Sequence, residues 1–164
     1  MLELHSTVKL NNGVEMPWFG LGTFRAEGEE TVIAIKKALQ LGYIHIDTAF
    51  IYGNEKEVGR GIRESGVPRE KLFVTTKLWT NDQGYKSSLK AIEKSLTNLG
   101  LDYVDLYLIH WPVESKLHDT WKAMEEIAQK GLSRSVGVSN FTPRLLRALK
   151  KQSDLVPAVK QYEY

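Results

Sequence analysis

"LFVTTKLW" (Leu72–Trp79) and "VDLYLIHW" (Val104–Trp111) are two apolar, β-rich runs. Between them lies a stretch of helical periodicity, Tyr85–Leu99, stopped by Gly100. Strand, helix and strand with short joins is the pattern of two parallel strands linked by a right-handed crossover. Alternate side chains of a strand share a face. Phe73, Thr75 and Lys77 therefore point together from the first run, and Leu106, Leu108 and His110 from the second. In both series the ionisable residue comes last, at the C-terminal end of the strand.

The same alternation extends in both directions. Upstream, "YIHID" (Tyr43–Asp47) reads as a strand with His45 and Asp47 on one face. It is followed by a helix over Asn54–Ser65, with Asn54 as its expected N-cap. Before it come the short apolar run "WFGLGT" (Trp18–Thr23) and a helix over Thr31–Leu41 that stops at Gly42. "VKLNNGVEM" predicts a leading β-hairpin, Val8–Leu10 against Val14–Met16, around Asn11-Asn12-Gly13. Downstream, helix Leu117–Lys130 ends at Gly131, "SVGVSN" (Ser135–Asn140) is a strand, and Thr142 caps helix Pro143–Lys151. "PAVKQYEY" (Pro157–Tyr164) begins another strand.

After the hairpin this makes six strands and five helices in strict alternation, hence a parallel sheet in one domain spanning 1–164. Three strands aim Asp47, Lys77 and His110 at one end of that sheet, and Tyr52 follows in the next loop. A (β/α)8 barrel would converge these groups, whereas an open doubly wound sheet would spread them. The expected fold is therefore a TIM-type barrel of which about six strands are present.

Composition narrows the function classes. The 164 residues are 42% hydrophobic and 26% charged, as in an ordinary globular protein. A net charge of +2, with no dense Lys/Arg block, argues against nucleic acid. The absence of cysteine removes disulfides and thiolate metal sites and fits a reducing cytoplasm. No apolar run approaches the length of a membrane span, so a soluble cytoplasmic protein is expected.

The strand-end residues form an acid-catalysis set. Tyr52 is a proton donor, and a lysine beside it favours phenolate and would lower its pKa. Asp47 can supply the counter-ion that a buried lysine needs, and His110 can donate to a substrate oxygen. A single Asp, Tyr or His at a strand end is more often a satisfied structural group than a catalytic one; the convergence of four favours chemistry. His45 is assigned to the barrel interior. Trp79 and Trp111 are either rim packing or pocket walls. Ser139 and Asn140 could hydrogen-bond an amide or cap the next helix. A metal site built on His45, Asp47 and His110 is the rival enzyme reading. It is disfavoured because no second His-x-His pair accompanies it and an unmodified lysine is no ligand.

Taken together, "MPWFGLGTF", "HIDTAFIYGNEKEVGRGI", "LFVTTKLW", "LGLDYVDLYLIHWP" and "GVSNF" resemble the aldo-keto reductases, in order and spacing, over essentially the whole chain. The resemblance places that family's catalytic residues on Asp47, Tyr52, Lys77 and His110. It implies NADPH, or less often NADH, across the barrel mouth, with Thr23 and Asp47 touching its middle and ribose. Ser139, Asn140 and Gln161 would bind the carboxamide. It implies an aldehyde or ketone substrate in a pocket lined by Trp79 and Trp111, with Trp18 and Phe24 as neighbours. The family's seventh and eighth strands, its 2′-phosphate site and its C-terminal substrate loop have no counterpart before Tyr164. The chain is accordingly expected to be an incomplete barrel. The parent protein would be a monomeric reductase, and the truncated chain a form that self-associates through two open strand edges. The alternative expectation is a non-catalytic remnant.

Overall fold

The computed structural model describes residues 3–163; Met1, Leu2 and Tyr164, the last residue of the expected final strand, lie outside them. A two-stranded antiparallel hairpin, β1 (Thr7–Lys9) and β2 (Glu15–Pro17), precedes one six-stranded parallel sheet. Its strands are β3 (Leu21–Gly22), β4 (His45–Asp47), β5 (Phe73–Leu78), β6 (Val104–Ile109), β7 (Ser133–Ser139) and β8 (Lys160–Gln161). The connecting helices are α1 (Gly28–Gln40), α2 (Glu55–Ser65), α3 (Tyr85–Leu99), α4 (Leu117–Gln129) and α5 (Pro143–Gln152).

Neighbouring strands follow chain order from β3 to β8 without a reversal. A doubly wound sheet would reverse its strand order at a switch point; this one does not. The sheet also curls. Gln161 on β8 donates from Nε2 to Asp47 Oδ2 on β4 at 3.0 Å, although four strand spacings separate them. On a flat sheet that separation would be about 19 Å. The architecture is therefore a curled, incomplete (β/α)8 barrel.

Both faces of the central strands are covered, and every residue of β5 and β6 is buried. Phe73, Leu106 and Leu108 face inward and pack with Val14 and Met16 of the hairpin segment and with Val159. Val74, Leu78, Tyr107 and Ile109 face outward into the larger cluster beneath the helices. The hairpin is tied to the base of the sheet by Asn12, whose Nδ2 donates to Arg134 O and Ser135 Oγ, each at 3.0 Å. Helices α2 and α3 approach so closely that a Cβ on Gly59 would lie 1.9 Å from Leu99 O, a position only glycine can fill.

Three expectations shift. The hairpin ladder lies one residue further out at each strand, because Leu10 and Val14 close the turn through Leu10 N–H to Val14 O at 2.9 Å. Helix α1 begins at Gly28 rather than Thr31, since Glu29 and Glu30 suit a helix N-terminus although they break the apolar period. The last strand is confined to Lys160–Gln161.

Sequence reading passed over Asp105. Its side chain is wholly buried at the base of β6, where it accepts from Arg69 Nη2 at 2.6 Å, Arg134 Nη1 at 2.9 Å and Val74 N at 2.9 Å. Removing it would leave the buried Val74 N–H without its acceptor and the partly buried Arg69 without its counter-ion. Asp105→Ala is therefore expected to destabilise the chain by about 3 kcal/mol in urea unfolding. A loss under about 0.5 kcal/mol would mean that these bonds merely replace hydration.

Candidate active site

β4 ends on Asp47, and the short 3-10 turn Phe50–Tyr52 then lifts Tyr52 over the mouth before Gly53 reverses the chain at φ 72°. β5 carries Lys77 one residue before its end, and His110 follows β6 directly. The four side chains expected to converge do so. Lys77 is buried, and its ammonium has three donors and three acceptors around it: Asp47 Oδ1, Thr48 O at 2.9 Å and Tyr52 Oη at 3.4 Å. The Tyr52 ring lies edge-on to His110, with centroids 5.7 Å apart, and tilted against Phe24 at 5.1 Å. Trp79 packs edge-on to the other side of His110, at 5.4 Å.

These groups open onto a cavity of about 650 Å³. Its walls include Phe24, Ile51, Trp79 and Trp111, and its floor Asp47, Tyr52, Lys77 and His110. Trp79 and Trp111 thus line this cavity. Trp18 is not: its N–H is bonded to Ser6 O at 2.9 Å, and its exposed side chain does not line the cavity.

The expected cofactor residues divide into two groups. Thr23 lines the cavity, with its Oγ1 buried and without a partner among the described residues. Gln161 also lines it, with Nε2 on Asp47. Ser139 and Asn140 stand just behind. Asn140, at φ 61°, donates from Nδ2 to His110 O at 3.2 Å and to Ser139 Oγ at 3.1 Å, and its Oδ1 accepts from Glu163 N at 3.2 Å. Neither residue caps α5; Thr142 does, accepting from Leu145 N at 3.4 Å. His45 is interior, with Nε2 3.0 Å from Thr75 Oγ1, and among the described residues His45, Asp47 and His110 do not come together as a metal-ligating group.

One electrostatic expectation is reversed. The Tyr52 phenol is not held below its ordinary value beside Lys77; it is pushed up to about 12, by burial first and then by the Asp47 and Glu163 carboxylates. The lysine's charge is taken up by Asp47, so what the phenol meets is an ion pair rather than a free cation. His110 is held below its ordinary value by burial and by Lys77, an effect partly offset by Glu163, whose Oε1 lies 3.4 Å from Nε2. At neutral pH the site therefore presents a protonated phenol and a neutral imidazole.

These shifts set the pH range of stability. His45, lowered mainly by burial, and His110 both return toward 6.5 on unfolding. The unfolded chain then binds protons that the folded chain resists, so stability present above pH 6.5 falls as the pH drops below it. Tyr52, and Tyr107 buried behind β6, act at the other end. The unfolded phenols ionise from about pH 10 while the folded ones stay protonated, so stability falls again as pH rises past about 10. The urea midpoint is expected to be level from about pH 7 to 9.5 and to decline on both sides. A midpoint unchanged from about pH 5 to 11 would contradict these shifts.

Residues 18–164 match the model of the aldo/keto reductase family. The chain belongs to that family. It is 55% identical over 162 residues to a glyoxal reductase of Bacillus subtilis, covering 98% of this chain and 59% of that protein. It is 53% identical to a 9,11-endoperoxide prostaglandin H2 reductase of Trypanosoma cruzi, covering 97% and 56%. Among solved structures, an aldo-keto reductase of Bombyx mori in complex with NADP superposes with a TM-score of 0.91 at 38% identity, covering 97% of this chain and 58% of that one. The chain thus spans under three-fifths of the length of these relatives.

Proposed function

We propose that this chain carries the catalytic half of an NADPH-dependent carbonyl reductase, in which Tyr52 protonates the oxygen of an aldehyde or ketone. The observation that carries this reading is the contact of Lys77 Nζ with Asp47, Thr48 O and Tyr52 Oη at the floor of an apolar-walled cavity. A phenol kept protonated is a donor and not a nucleophile, which suits addition to a carbonyl rather than hydrolysis.

The cavity suits a nicotinamide cofactor. Thr23 Oγ1 is a buried polar atom left without a partner among the described residues at its edge, and Gln161 presents an amide beside Asp47. Thr23, Asp47, Ser139, Asn140 and Gln161 would hold the cofactor, and the Bombyx mori relative bound to NADP supports that class. When bound, the reduced nicotinamide supplies the hydride. The chain's own residues do the rest. Phe24, Trp79 and Trp111 exclude water, and His110 Nε2 donates to the carbonyl oxygen and orients it. Tyr52 gives up its proton as negative charge develops on that oxygen, while Lys77 stabilises the phenolate left behind.

The substrate is a small carbonyl compound. The relatives' names span glyoxal and a prostaglandin endoperoxide, so no single substrate is carried over. The protein is proposed to work in the cytoplasm as part of a completed barrel. A second reading, a non-catalytic protein, rests on Glu163 lying against His110 Nε2. The test is consumption of NADPH by the completed barrel, with and without an aromatic aldehyde, read at the cofactor's absorbance. Aldehyde-dependent consumption is expected; consumption no faster than in buffer would favour the second reading.

A further inference from the structure

Asn54 occupies the N-cap position of α2, yet its side chain makes no cap bond to the helix. Instead its amide reaches sideways. Nδ2 donates to Thr23 O at 2.8 Å and to Ala26 O at 3.0 Å, and Oδ1 accepts from Thr48 Oγ1 at 3.0 Å. The residue is 3% exposed, so these bonds form out of water. Between the two carbonyls it holds, Arg25 adopts φ 63°, a left-handed conformation that a residue with a Cβ takes up only under constraint. The side chains on that strained segment are those facing the cavity: Thr23, and Phe24 packed on Tyr52. At the other end of the latch, the carbonyl of Thr48 accepts from Lys77.

We propose that Asn54 is a positioning residue whose amide latches the loop of residues 23–26 to Thr48, and so sets Thr23 and Phe24 against Tyr52. The functional part rests on the reductase reading above; the latch itself does not. The loop's own backbone bonds are Ala26 N–H to Thr23 O at 3.1 Å and Thr23 N–H to Asp47 O at 3.0 Å; among the described residues, the side-chain bonds that tie it to the segment after β4 come from Asn54. The latch ties the wall of the substrate pocket to the segment that bears the proton donor. Loosening it would move the wall while leaving Asp47, Lys77 and Tyr52 bonded to one another.

Asn54→Asp separates this role from capping. Aspartate is as good an N-cap as asparagine, and its charge suits a helix N-terminus, so a capping role predicts no loss. As a latch it fails, because it keeps the oxygen facing Thr48 but loses both donors. Amide hydrogen exchange at pH 8 in the 164-residue chain is expected to speed up about tenfold over residues 21–27, the effect of losing two buried hydrogen bonds. Protection of α2 should stay unchanged. In the completed enzyme, KM for an aldehyde should rise about tenfold while kcat stays within about threefold. Thr48→Val, which removes only the Oδ1 anchor, should give about a threefold faster exchange of the same segment. It decides the question if Asn54→Asp fails to fold. Unchanged exchange over 21–27 in a folded variant would overturn the latch. Faster exchange with no aldehyde-dependent turnover in the unsubstituted enzyme would uphold the latch and sink the reductase reading.

Discussion

Replacing Tyr52 with phenylalanine in the completed barrel is expected to cut turnover of an aldehyde by about a hundredfold to ten-thousandfold, the usual worth of a positioned general acid. Cofactor affinity should barely move. The substitution removes one oxygen and keeps the ring, so the packing on Phe24 at 5.1 Å and His110 at 5.7 Å survives. Lys77 loses the longest of its three contacts and keeps Asp47 and Thr48 O. The ground state is therefore nearly intact, and the lost interaction is one made while charge develops on the substrate oxygen. Such a loss lowers kcat and kcat/KM together. A variant that turns over within about threefold of the parent would move the proton donor elsewhere in the site.

The 164-residue chain by itself is expected to show little or no reductase activity. Its sheet ends in two strands of two residues each, β3 and β8, whose outer edges have no strand partner among the described residues. One of the ligands that steady Asp47 is Gln161, on that open β8 edge. A misplacement of about 1 Å in such a constellation can cost on the order of a hundredfold in rate. Glu163 also lies against His110 Nε2, the atom that would otherwise meet the carbonyl oxygen. Under the proposed cofactor reading, phosphate contacts are expected beyond residue 164. Charge-assisted contacts of that kind are worth ~1.5–3 kcal/mol each, so each one missing weakens binding about tenfold or more. The soluble form is expected to associate through its strand edges. Size-exclusion chromatography with light scattering, run beside an NADPH and 4-nitrobenzaldehyde assay, checks both points. A monodisperse monomer with robust turnover would show that six strands suffice.

The parts of the site that sequence reading located are those governed by a short period. Alternation along "LFVTTKLW" and "VDLYLIHW" is enough to put Lys77 and His110 at strand ends on the inner face, and "YIHID" does the same for Asp47. Longer-range links are hidden for a physical reason. The bond from Gln161 to Asp47 joins residues 114 apart in sequence and depends on the curl of the sheet. Asn54 looks like a cap because its residue type and position fit one, and only the neighbouring loop's geometry diverts its amide. The direction of the Tyr52 shift turns first on the burial of the phenol and then on the Asp47 and Glu163 carboxylates, which spacing cannot reveal. Asp105 was hidden for the opposite reason: an acid inside an apolar strand stands out, but its partners Arg69 and Arg134 lie on other elements.

The proposed reaction is hydride addition to a carbonyl carbon while Tyr52 protonates the oxygen. Isotope transfer tests it directly. The completed barrel is incubated with NADPH deuterated at the transferring position of its nicotinamide ring, together with 4-nitrobenzaldehyde, and the product is analysed by mass spectrometry. The expected result is 4-nitrobenzyl alcohol carrying one deuterium on its carbinol carbon, with the hydroxyl proton drawn from solvent. Unlabelled alcohol, or unchanged aldehyde in the presence of folded protein, would contradict the account.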